Sequence, residues 1–376
     1  MVRLLHTADV HLGHKFLVLA DKGAAQREQI KDSFKKLISR AIAEHVDIVL
    51  IAGDLFDSNQ QSQTNVDFVI EQFHTLAANN IPACLIPGTH DCFDSISIYK
   101  KVDFQASCPG LTIFTSEGWN YREFPHLGLT VYGKPNFSNR SPGSPLEGLR
   151  RLTDSRYHVA MAHGSLNIPG KVDVDDYVFT VEEIQHSQMD YIALGHWHSP
   201  YPCSDKGVVA WYSGAPEFIE VDQKQSGSIL VVTILESGEV KVEPRQTGIR
   251  CFNKLDIDLT DMESRGQLKN KIAERANPNL IMKVVLKGYR DENVRLLPEE
   301  LEADLSEQFF HLRIDDESHP KISQFSEDAY EGRLILTRFI KLMKEHIETC
   351  ESETDRTIAE EALQYGLALL QEKDVF

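Results

Sequence analysis

Five short motifs place carboxylate and imidazole side chains at fixed spacings along the chain. They are Asp9-x-His11, Gly53-Asp54-x-x-Asp57, Gly88-Thr89-His90-Asp91, His163-Gly164 and Gly195-His196-x-His198. Carboxylates and imidazoles without thiolates suit Mn²⁺, Fe²⁺ or Zn²⁺ better than Ca²⁺. Because so many ligands exceed what one catalytic metal usually takes from a protein, they indicate two ions that share a carboxylate. Two ions about 3.5–4 Å apart can clamp a phosphoryl group and lower the pKa of a bridging water.

Each motif alone is weak evidence for a metal. A single histidine beside glycine is more often a turn or core residue than a ligand, and an isolated Asp-x-His has the same ambiguity. What favours the metal site is that all five motifs follow predicted strands. Ligands of α/β proteins collect outside the carboxyl ends of such strands.

The first three motifs lie in a β-α-β-α-β pattern. Strands are predicted at 2–8, 47–52 and 83–86, and the run after Asp47 is apolar throughout, as in a central strand covered on both faces. Apolar residues with helical spacing predict helices over 26–46 and 66–77. Pro87-Gly88 forces a sharp turn after the third strand. The three motifs should therefore meet at one edge of a sheet.

After Cys108 the pattern changes to short strands separated by two long loops. The strands are predicted at 112–115, 129–133, 158–162, 190–194, 207–211 and 228–235, the loops near 134–148 and 164–179, and a hairpin turn at 236–239. The last two motifs come at the ends of the third and fourth of these strands. This mixture predicts a two-sheet α/β sandwich with active-site loops along one edge.

A further change of pattern comes near residue 249. Strands at 255–259, 280–286 and 312–314 and helices near 264–276 and 298–308 predict a small α/β unit. Pro320 marks a break, and helical segments are predicted near 327–348 and 354–372. We therefore predict three domains, at 1–245, 249–318 and 325–376.

Composition limits the function classes. The chain has 376 residues and a formal net charge of −18, which disfavours nucleic-acid binding unless bound metal ions reverse the charge locally. No apolar run approaches the ~18 residues of a membrane helix, and the N-terminus does not look like a signal peptide. The six cysteines are widely spaced without a C-x-x-C pair, as in a reduced protein. We expect a cytoplasmic protein without a membrane segment.

Together the five motifs resemble the signature of the calcineurin-like metallophosphoesterases. The opening run from His6 to Gly13 and the Gly195-His196-Trp197-His198 spacing are more narrowly similar to SbcD-type DNA repair nucleases. The motifs cover about residues 1–245, and the rest matches by architecture only. The resemblance implies an α/β/β/α metallophosphoesterase sandwich, a small α/β capping domain and C-terminal helices. It also implies a metal-dependent DNA exonuclease with two divalent ions, of which Mn²⁺ is expected and Fe²⁺ or Zn²⁺ are alternatives.

Carried over to this chain, the resemblance implies a dinuclear site. The ligands of one ion would be Asp9, His11, Asp54 and His198. The ligands of the other would be Asp54, Thr89, His163 and His196, with Asp54 as the bridge. His90 would contact the scissile phosphate, and Asp57 could orient His90 as an Asp–His dyad. Alternatively, Asp57 is a turn carboxylate that caps the helix near 61–65.

Thr89 is a departure from the family pattern, which has asparagine at this position. An amide oxygen is a good neutral metal ligand, whereas a neutral hydroxyl is a poorer one. We therefore expect the second ion to bind more weakly, or to take a water in place of this ligand.

Contacts to DNA and to partners are less clearly indicated. Candidate phosphate contacts in loops after predicted strands are Lys15, Arg27, Lys134, Asn136 and Arg140, which could equally be solvated surface charges. Phe16, Phe137 and Tyr177 could stack on bases or anchor loops. The apolar faces of the two C-terminal helices could pack on each other or bind the coiled-coil root of an SbcC-like ATPase. The segment Ile96–Phe104 could form a homodimer.

Three function classes remain open on the sequence. The first is a metal-dependent DNA repair exonuclease subunit that works with an ATPase. The second is a phosphoesterase for a small substrate, and the third is a weakly catalytic scaffold in which Thr89 marks a decayed site. The charge of −18 favours the second and third, whereas the added α/β unit and terminal helices favour the first.

Overall fold

The chain divides into two compact units, Met1–Phe252 and Asn253–Phe376. The computed structural model describes residues 1–170, 172–204, 207–221, 223, 227–290, 297–320, 334–350 and 352–370. The second unit includes both the predicted α/β domain and the predicted C-terminal helices, so the three-domain division stays a prediction.

The first unit is built from twelve strands and five helices among its described residues. The strands are β1 (Val2–Thr7), β2 (Ile48–Ala52), β3 (Ala83–Ile86), β4 (Leu111–Ile113), β5 (Asn120–Phe124), β6 (Leu129–Gly133), β7 (Tyr157–His163), β8 (Tyr191–Gly195), β9 (Tyr201–Ser204), β10 (Val209–Tyr212), β11 (Ser228–Ile234) and β12 (Val240–Gln246). The helices are α1 (Gly23–Ala43), α2 (Gln63–Ala78), α3 (Ile98–Lys101), α4 (Phe104–Ser107) and α5 (Val181–His186). Short 3-10 turns at Leu17–Lys22 and Pro125–Leu127 complete this unit.

These strands form two six-stranded sheets among the described residues. Their orders are β12-β11-β1-β2-β3-β4 and β5-β6-β7-β8-β10-β9. In the first sheet β1 to β4 are mutually parallel, and in the second β6, β7, β8 and β10 are mutually parallel. Antiparallel strands lie at the edges of both sheets. The order of each parallel core places the motif-bearing strands beside one another.

The two sheets share one hydrophobic core. Leu4 and Leu50 of the first sheet and Val131 and Val159 of the second belong to the same buried cluster. Each such side chain contributes about 1.5–3 kcal/mol on removal from water. Both α1 and α2 bury the apolar face that the sequence predicts for them, and α5 buries Ile184 in a second cluster with residues of the second sheet. The predicted two-sheet α/β sandwich is confirmed.

The elements that differ from the predictions are mostly exposed. The edge strands β5 and β12 are largely exposed, so their sequences lack the apolar runs that reveal the central strands. Helix α5 has a capping box, in which Thr180 accepts a hydrogen bond from the backbone N–H of Glu183 and Glu183 accepts one from that of Thr180. This Thr-x-x-Glu pattern was a usable signal for the start of a helix.

The second unit contains the elements predicted after residue 249. They are β13 (Cys251–Asp258, which begins at the boundary), α6 (Arg265–Ala273), β14 (Asn277–Lys287), β15 (Tyr289–Arg290), α7 (Pro298–Leu305), β16 (Phe309–Asp316), β17 (His319–Pro320), α8 (Leu334–Thr349) and α9 (Glu353–Leu370). Strands β13, β14 and β16 form one sheet. Helices α8 and α9 pack on each other through Leu336, Ile340, Leu363 and Leu367. The predicted helical residues 327–333 and 371–372 lie outside the described residues.

The apolar faces of α8 and α9 are only partly used by this contact. Leu334, Ile335 and Leu342 of α8 and Ile358 of α9 stay exposed. Of the helices in the described part of the chain, none is long and apolar enough to cross a membrane.

A buried histidine links the two sheets beneath the motif loops. His6 of β1 is fully buried, and its Nδ1 lies 2.9 Å from the hydroxyl of Tyr191 in β8. Burial lowers the pKa of His6 to about 3. In the unfolded chain this imidazole has a pKa of about 6.5. Between the two pKa values the imidazole of His6 is therefore protonated in the unfolded state and neutral in the folded state.

This difference makes stability depend on pH. Between pH 7 and pH 5 His6 alone should lower the free energy of unfolding by about 2 kcal/mol. In the His6→Gln variant, a neutral amide should flatten this part of the pH dependence. Denaturant unfolding of both proteins at pH 7, 6 and 5 measures the difference, and equal slopes would show that His6 is not the responsible group.

Candidate metal centre

The five motifs meet because each follows the carboxyl end of a parallel strand. Asp9 and His11 follow β1, Asp54 follows β2, the Thr89-His90 turn follows β3, His163 ends β7 and His196 follows β8. Asp9, His11, Asp54 and His196 have φ values of 54°, 51°, 52° and 108°, in the left-handed region that non-glycine residues rarely adopt. The strand ends therefore turn sharply, which directs these side chains to a common point.

Among the described residues there are three groups in which the ligand atoms all lie within 4.8 Å of one another. They are Asp9, His11 and His198; Asp9, Asp54 and His163; and His11, Asp57 and His90. Six of the seven predicted metal ligands are therefore close together: five in these groups and Thr89 beside Asp54. His196 is outside the three groups, although its ring centroid lies 5.2 Å from that of His163.

Asp54 lies between the two halves of the cluster. Its Oδ2 is 3.2 Å from Nε2 of His163 and 3.8 Å from Nε2 of His11. Its Oδ1 accepts a hydrogen bond of 2.8 Å from the backbone N–H of His90. This is the position that a bridging carboxylate would need. The ligand roles themselves stay a prediction.

Two glycines make this close approach possible. A Cβ at Gly53 would lie 2.2 Å from Nδ1 of His163, and a Cβ at Gly88 would lie 2.2 Å from Oδ1 of Asp54. Any side chain at Gly53 would displace His163, and any side chain at Gly88 would displace Asp54. Nδ1 of His163 donates to the carbonyl oxygen of Ala52 at 2.9 Å, which leaves Nε2 directed at Asp54 and free to bind a metal.

The cluster fits divalent cations on its own chemistry. Asp9 and Asp54 are both buried, and neither ring nitrogen of buried His11 has a hydrogen-bond partner among the described residues. An unsatisfied buried polar atom costs about 1–3 kcal/mol. Because the ring nitrogens of His11 lie 3.4 Å from Oδ1 of Asp57 and 3.8 Å from Oδ2 of Asp54, the surroundings of this ring fit the predicted ligand role. Carboxylates and imidazoles are the donor set of Mn²⁺, Fe²⁺ and Zn²⁺.

The pKa values of Asp54 and of the histidines beside it depend on one another. Burial favours a higher pKa at Asp54, but His163 and His11 outweigh burial and hold the pKa of this carboxyl well below its usual range. Burial works against protonation of His163, but Asp54 outweighs it and raises the pKa of His163 to about 9. Because metals bind the neutral imidazole, metal binding should release protons.

Thr89 occupies the predicted place of the family's asparagine. It is buried, and its hydroxyl donates to Oδ2 of Asp54 at 3.2 Å and lies 3.4 Å from Nε2 of His163. The short side chain therefore reaches Asp54, the predicted bridge, where an asparagine would present an amide oxygen.

The Thr89→Asn variant should bind the second ion about ten times more tightly, since an amide oxygen is a better ligand than a neutral hydroxyl. Calorimetric titration with Mn²⁺ measures the two affinities. Thr64→Asn makes the same exchange at an exposed position of α2 and should change neither. Equal affinities in Thr89→Asn and the unchanged chain would contradict a ligand position at residue 89.

His90 is held by the backbone of Asp57 rather than by its carboxylate. Nδ1 of His90 donates to the carbonyl oxygen of Asp57 at 3.1 Å, whereas the Asp57 carboxylate is 3.9 Å from that nitrogen. The carboxylate is closest to His14, with Oδ1 2.7 Å from Nδ1 of His14. The predicted Asp–His dyad is thus replaced by a carbonyl contact. The alternative reading of Asp57 as a helix cap is wrong, because Ser62 caps α2.

His14 and Asp91, for which the motifs predict no role, contact residues of the predicted site. His14 pairs with Asp57, and Asp91 accepts hydrogen bonds from the backbone N–H groups of Gly88 and Phe56 and from the hydroxyl of Tyr99. Asp91 thereby ties the loop after β3 to the loop after β2. The signal for both was proximity to a motif, since His14 follows Gly13 and Asp91 follows His90.

The predicted DNA contacts have mixed surroundings. Lys15 is exposed on the wall of a cavity next to His90, and Arg27 donates to the carbonyl oxygen of Lys15. Lys134 is half-buried, and burial lowers its pKa. Arg140 pairs with Asp175, its Nη1 3.1 Å from Oδ1. Lys15 is therefore the best placed of the four.

The other loop residues proposed for DNA binding mostly make contacts within the protein. Asn136 donates to the backbone carbonyl of His163 at 3.1 Å. Phe16 and Tyr177 are buried, so they anchor their loops rather than offer a stacking face. Phe137 lines the cavity beside His90, in edge-to-face contact with Phe93.

The fold and this cluster define the class of protein. The family model described as calcineurin-like phosphoesterase matches residues 2–200, which contain all five motifs. The chain belongs to that family.

Relatives of the chain include named nuclease components. It is 26% identical over 358 residues to the metallophosphoesterase YhaO of Bacillus subtilis, covering 88% of this chain and 85% of YhaO. It is 25% identical over 306 residues to the DNA double-strand break repair protein Mre11 of Saccharolobus solfataricus, covering 77% and 76%. It is 25% identical over 348 residues to the SbcD component of the nuclease SbcCD of Staphylococcus epidermidis, covering 85% and 80%. The resemblance predicted from the motifs is confirmed.

Proposed function

We propose that this chain is a metal-dependent DNA nuclease subunit that hydrolyses phosphodiesters with two divalent ions, Mn²⁺ being the expected metal. The observation that carries the proposal is the position of His90. Its side chain is 48% exposed and lines two cavities of about 920 and 630 Å³. A phosphodiester carries an ester substituent on each side of the reacting phosphorus. A site that is open on both sides therefore suits a diester better than it suits a monoester.

The two cavities differ in character. The larger contains Lys15 and Phe137 beside exposed Leu17, Val18 and Ile96, which suits a nucleotide with its base and phosphate. The smaller contains Asp173, Asp176 and Glu220. Divalent ions at the carboxylate cluster would supply the local positive charge that a chain of net charge −18 needs at a DNA site.

His90 has a defined part in this chemistry. Because Nδ1 donates to the carbonyl of Asp57, Nε2 is the nitrogen left to face the substrate. In the imidazolium form, in which both ring nitrogens carry a hydrogen, Nε2 can donate a hydrogen bond to a phosphoryl oxygen or a proton to the leaving oxygen. The bound ions would stabilise negative charge on the phosphoryl group and activate water for attack.

The relatives support the finer parts of the proposal. Mre11 is named for double-strand break repair and the SbcD component for a nuclease. We propose that this chain likewise acts in the cytoplasm in a DNA repair complex, as a homodimer, with an SbcC-like ATPase. The exposed apolar residues of α8 and α9 are the proposed docking surface for that ATPase. The net charge of −18 favours a small-substrate phosphoesterase as the second candidate.

One experiment separates these functions. The purified chain is incubated with Mn²⁺ and single-stranded DNA, linear duplex DNA or bis-p-nitrophenyl phosphate, with His90→Ala as the inactive control. Cleavage of DNA by the unchanged chain but not by His90→Ala supports the nuclease function. Cleavage of bis-p-nitrophenyl phosphate without cleavage of single-stranded or duplex DNA would contradict the nuclease function and favour the small-substrate phosphoesterase. Metal binding without any hydrolysis favours the scaffold.

A further inference from the structure

We propose that Asp176 is a positioning residue for the metal centre: it holds Nε2–H of His196, so that Nδ1 of His196 is the ring nitrogen left to bind the second ion. The inference rests on the proposed two-ion site but not on the identity of the substrate. It gives a function to a loop residue that lies 20 positions before its partner in the sequence.

The contact between the two side chains is direct. Nε2 of His196 lies 3.0 Å from Oδ2 of Asp176. A carboxylate can only accept, so Nε2 carries a hydrogen and, in the neutral ring that a metal binds, Nδ1 keeps the lone pair. The backbone N–H of His196 also donates to both carboxylate oxygens of Asp9 at 3.0 Å. The main chain and the side chain of His196 are thus each held by a carboxylate.

His196 needs such a support more than the other histidines do. Its side chain is 21% exposed, whereas those of His11 and His163 are 1% and 0% exposed. The buried histidines are oriented by close packing, but a ring at the rim can rotate unless a hydrogen bond stops it. His163 is oriented by the same kind of device, with its other nitrogen, Nδ1, donating to the carbonyl of Ala52.

Asp176 is itself held by a chain of donors. The hydroxyl of Ser165 donates to Oδ2 of Asp176 at 2.5 Å, and Nε1 of Trp197 donates to the hydroxyl of Ser165 at 3.2 Å. The ring of Trp197 stacks on Tyr212, with centroids 4.7 Å apart and an interplanar angle of 13°. Every hydrogen in this chain of donors has an acceptor, which makes the network rigid.

The backbone around Asp176 is built to keep it there. The next residue, Tyr177, has a φ of 51°, and such strain persists only where the surroundings impose it. Tyr177 donates from its hydroxyl to the carbonyl of Ser138 at 3.1 Å and from its backbone N–H to that of Ser141 at 3.0 Å. A Cβ at Gly164 would lie 2.4 Å from the carbonyl oxygen of Tyr177. The loop is therefore clamped between two neighbouring segments.

The test is Mn²⁺ titration of the full chain by calorimetry, together with the electron paramagnetic resonance signal of a spin-coupled Mn²⁺ pair. Asp176→Ala should weaken one of the two ions about 10- to 100-fold, as expected for loss of a group that orients a ligand. The coupled signal should then require correspondingly more Mn²⁺. Asp176→Asn should recover part of the affinity, because its amide oxygen can still accept from Nε2–H.

Asp173→Asn is the matched control. Asp173 lies in the same loop and lines the same cavity, but its side chain is 74% exposed and it pairs with Arg140. It should leave both affinities unchanged. An Asp176→Ala chain with unaltered affinities would overturn the proposal, and so would an equal loss in Asp173→Asn, which would indicate a general charge effect. Because no substrate is used, a chain that failed to cut DNA would sink the nuclease assignment without affecting this readout.

Discussion

Replacing Asp54 by asparagine should remove the binding of both metal ions and lower phosphodiesterase activity by at least about a thousandfold. Oδ2 of Asp54 lies within 3.2 and 3.8 Å of the nearest nitrogens of His163 and His11. Among the described residues, Asp9 also has a ligand atom within 4.8 Å of one on each of these histidines. Loss of one negative charge at this point therefore affects both ions.

The asparagine variant should still fold. Its amide oxygen can accept the hydrogen bond that the backbone N–H of His90 gives to Asp54, and the side-chain volume is unchanged. Asp67→Asn makes the same charge change on the exposed surface of α2 and should bind two ions normally. Calorimetry with Mn²⁺ and hydrolysis of bis-p-nitrophenyl phosphate measure both effects. Two tightly bound ions in Asp54→Asn would rule out the bridging role.

Replacing His90 by alanine should separate catalysis from metal binding. The residue contacts Asp57 and lines both cavities, but its predicted role is with the phosphate. We expect turnover to fall by about 10²- to 10³-fold, as when one charge-stabilising or proton-donating group is lost. The affinities for Mn²⁺ should stay within about threefold of the unchanged chain.

The choice of substrate shows which role His90 has. A p-nitrophenolate leaves without a proton, whereas the hydroxyl of a deoxyribose needs one. If Nε2 protonates the leaving oxygen, His90→Ala should lose more activity on DNA than on bis-p-nitrophenyl phosphate. Equal losses would assign His90 to stabilising charge on the phosphoryl oxygens. His126→Ala, at an exposed turn of the same unit, is the control, and an active His90→Ala enzyme would contradict both roles.

The strand ends of this site could be predicted because two independent signals coincide there. Continuous apolar runs mark β2 and β3, and the first polar residues after them belong to the predicted site. The carboxyl ends of neighbouring parallel strands lie at the same edge of a sheet for any loop conformation. The sequence therefore predicts that Asp9, Asp54 and His90 lie close together.

The contacts made by loops could not be predicted in the same way. Asp176 meets His196 only through the conformation of the loop after β7, which has no periodic pattern. Asp57 is three residues from Asp54, and this spacing does not predict where the Asp57 side chain points. In the structure its carboxylate contacts His14. Hydrogen bonds to carbonyl groups, such as that from His163 to Ala52, have no sequence signal, because every residue offers a carbonyl.

The left-handed backbone at Asp9, His11, Asp54 and His196 sets the proposed metal site against the thermal stability of the protein. Each such residue costs of order 1–3 kcal/mol unless glycine replaces it, so the loops that carry the proposed ligands lower the stability of the metal-free protein. Bound ions would offset this by mass action. A selection for thermal stability alone should therefore enrich glycine at these positions and return robust proteins that no longer bind metal.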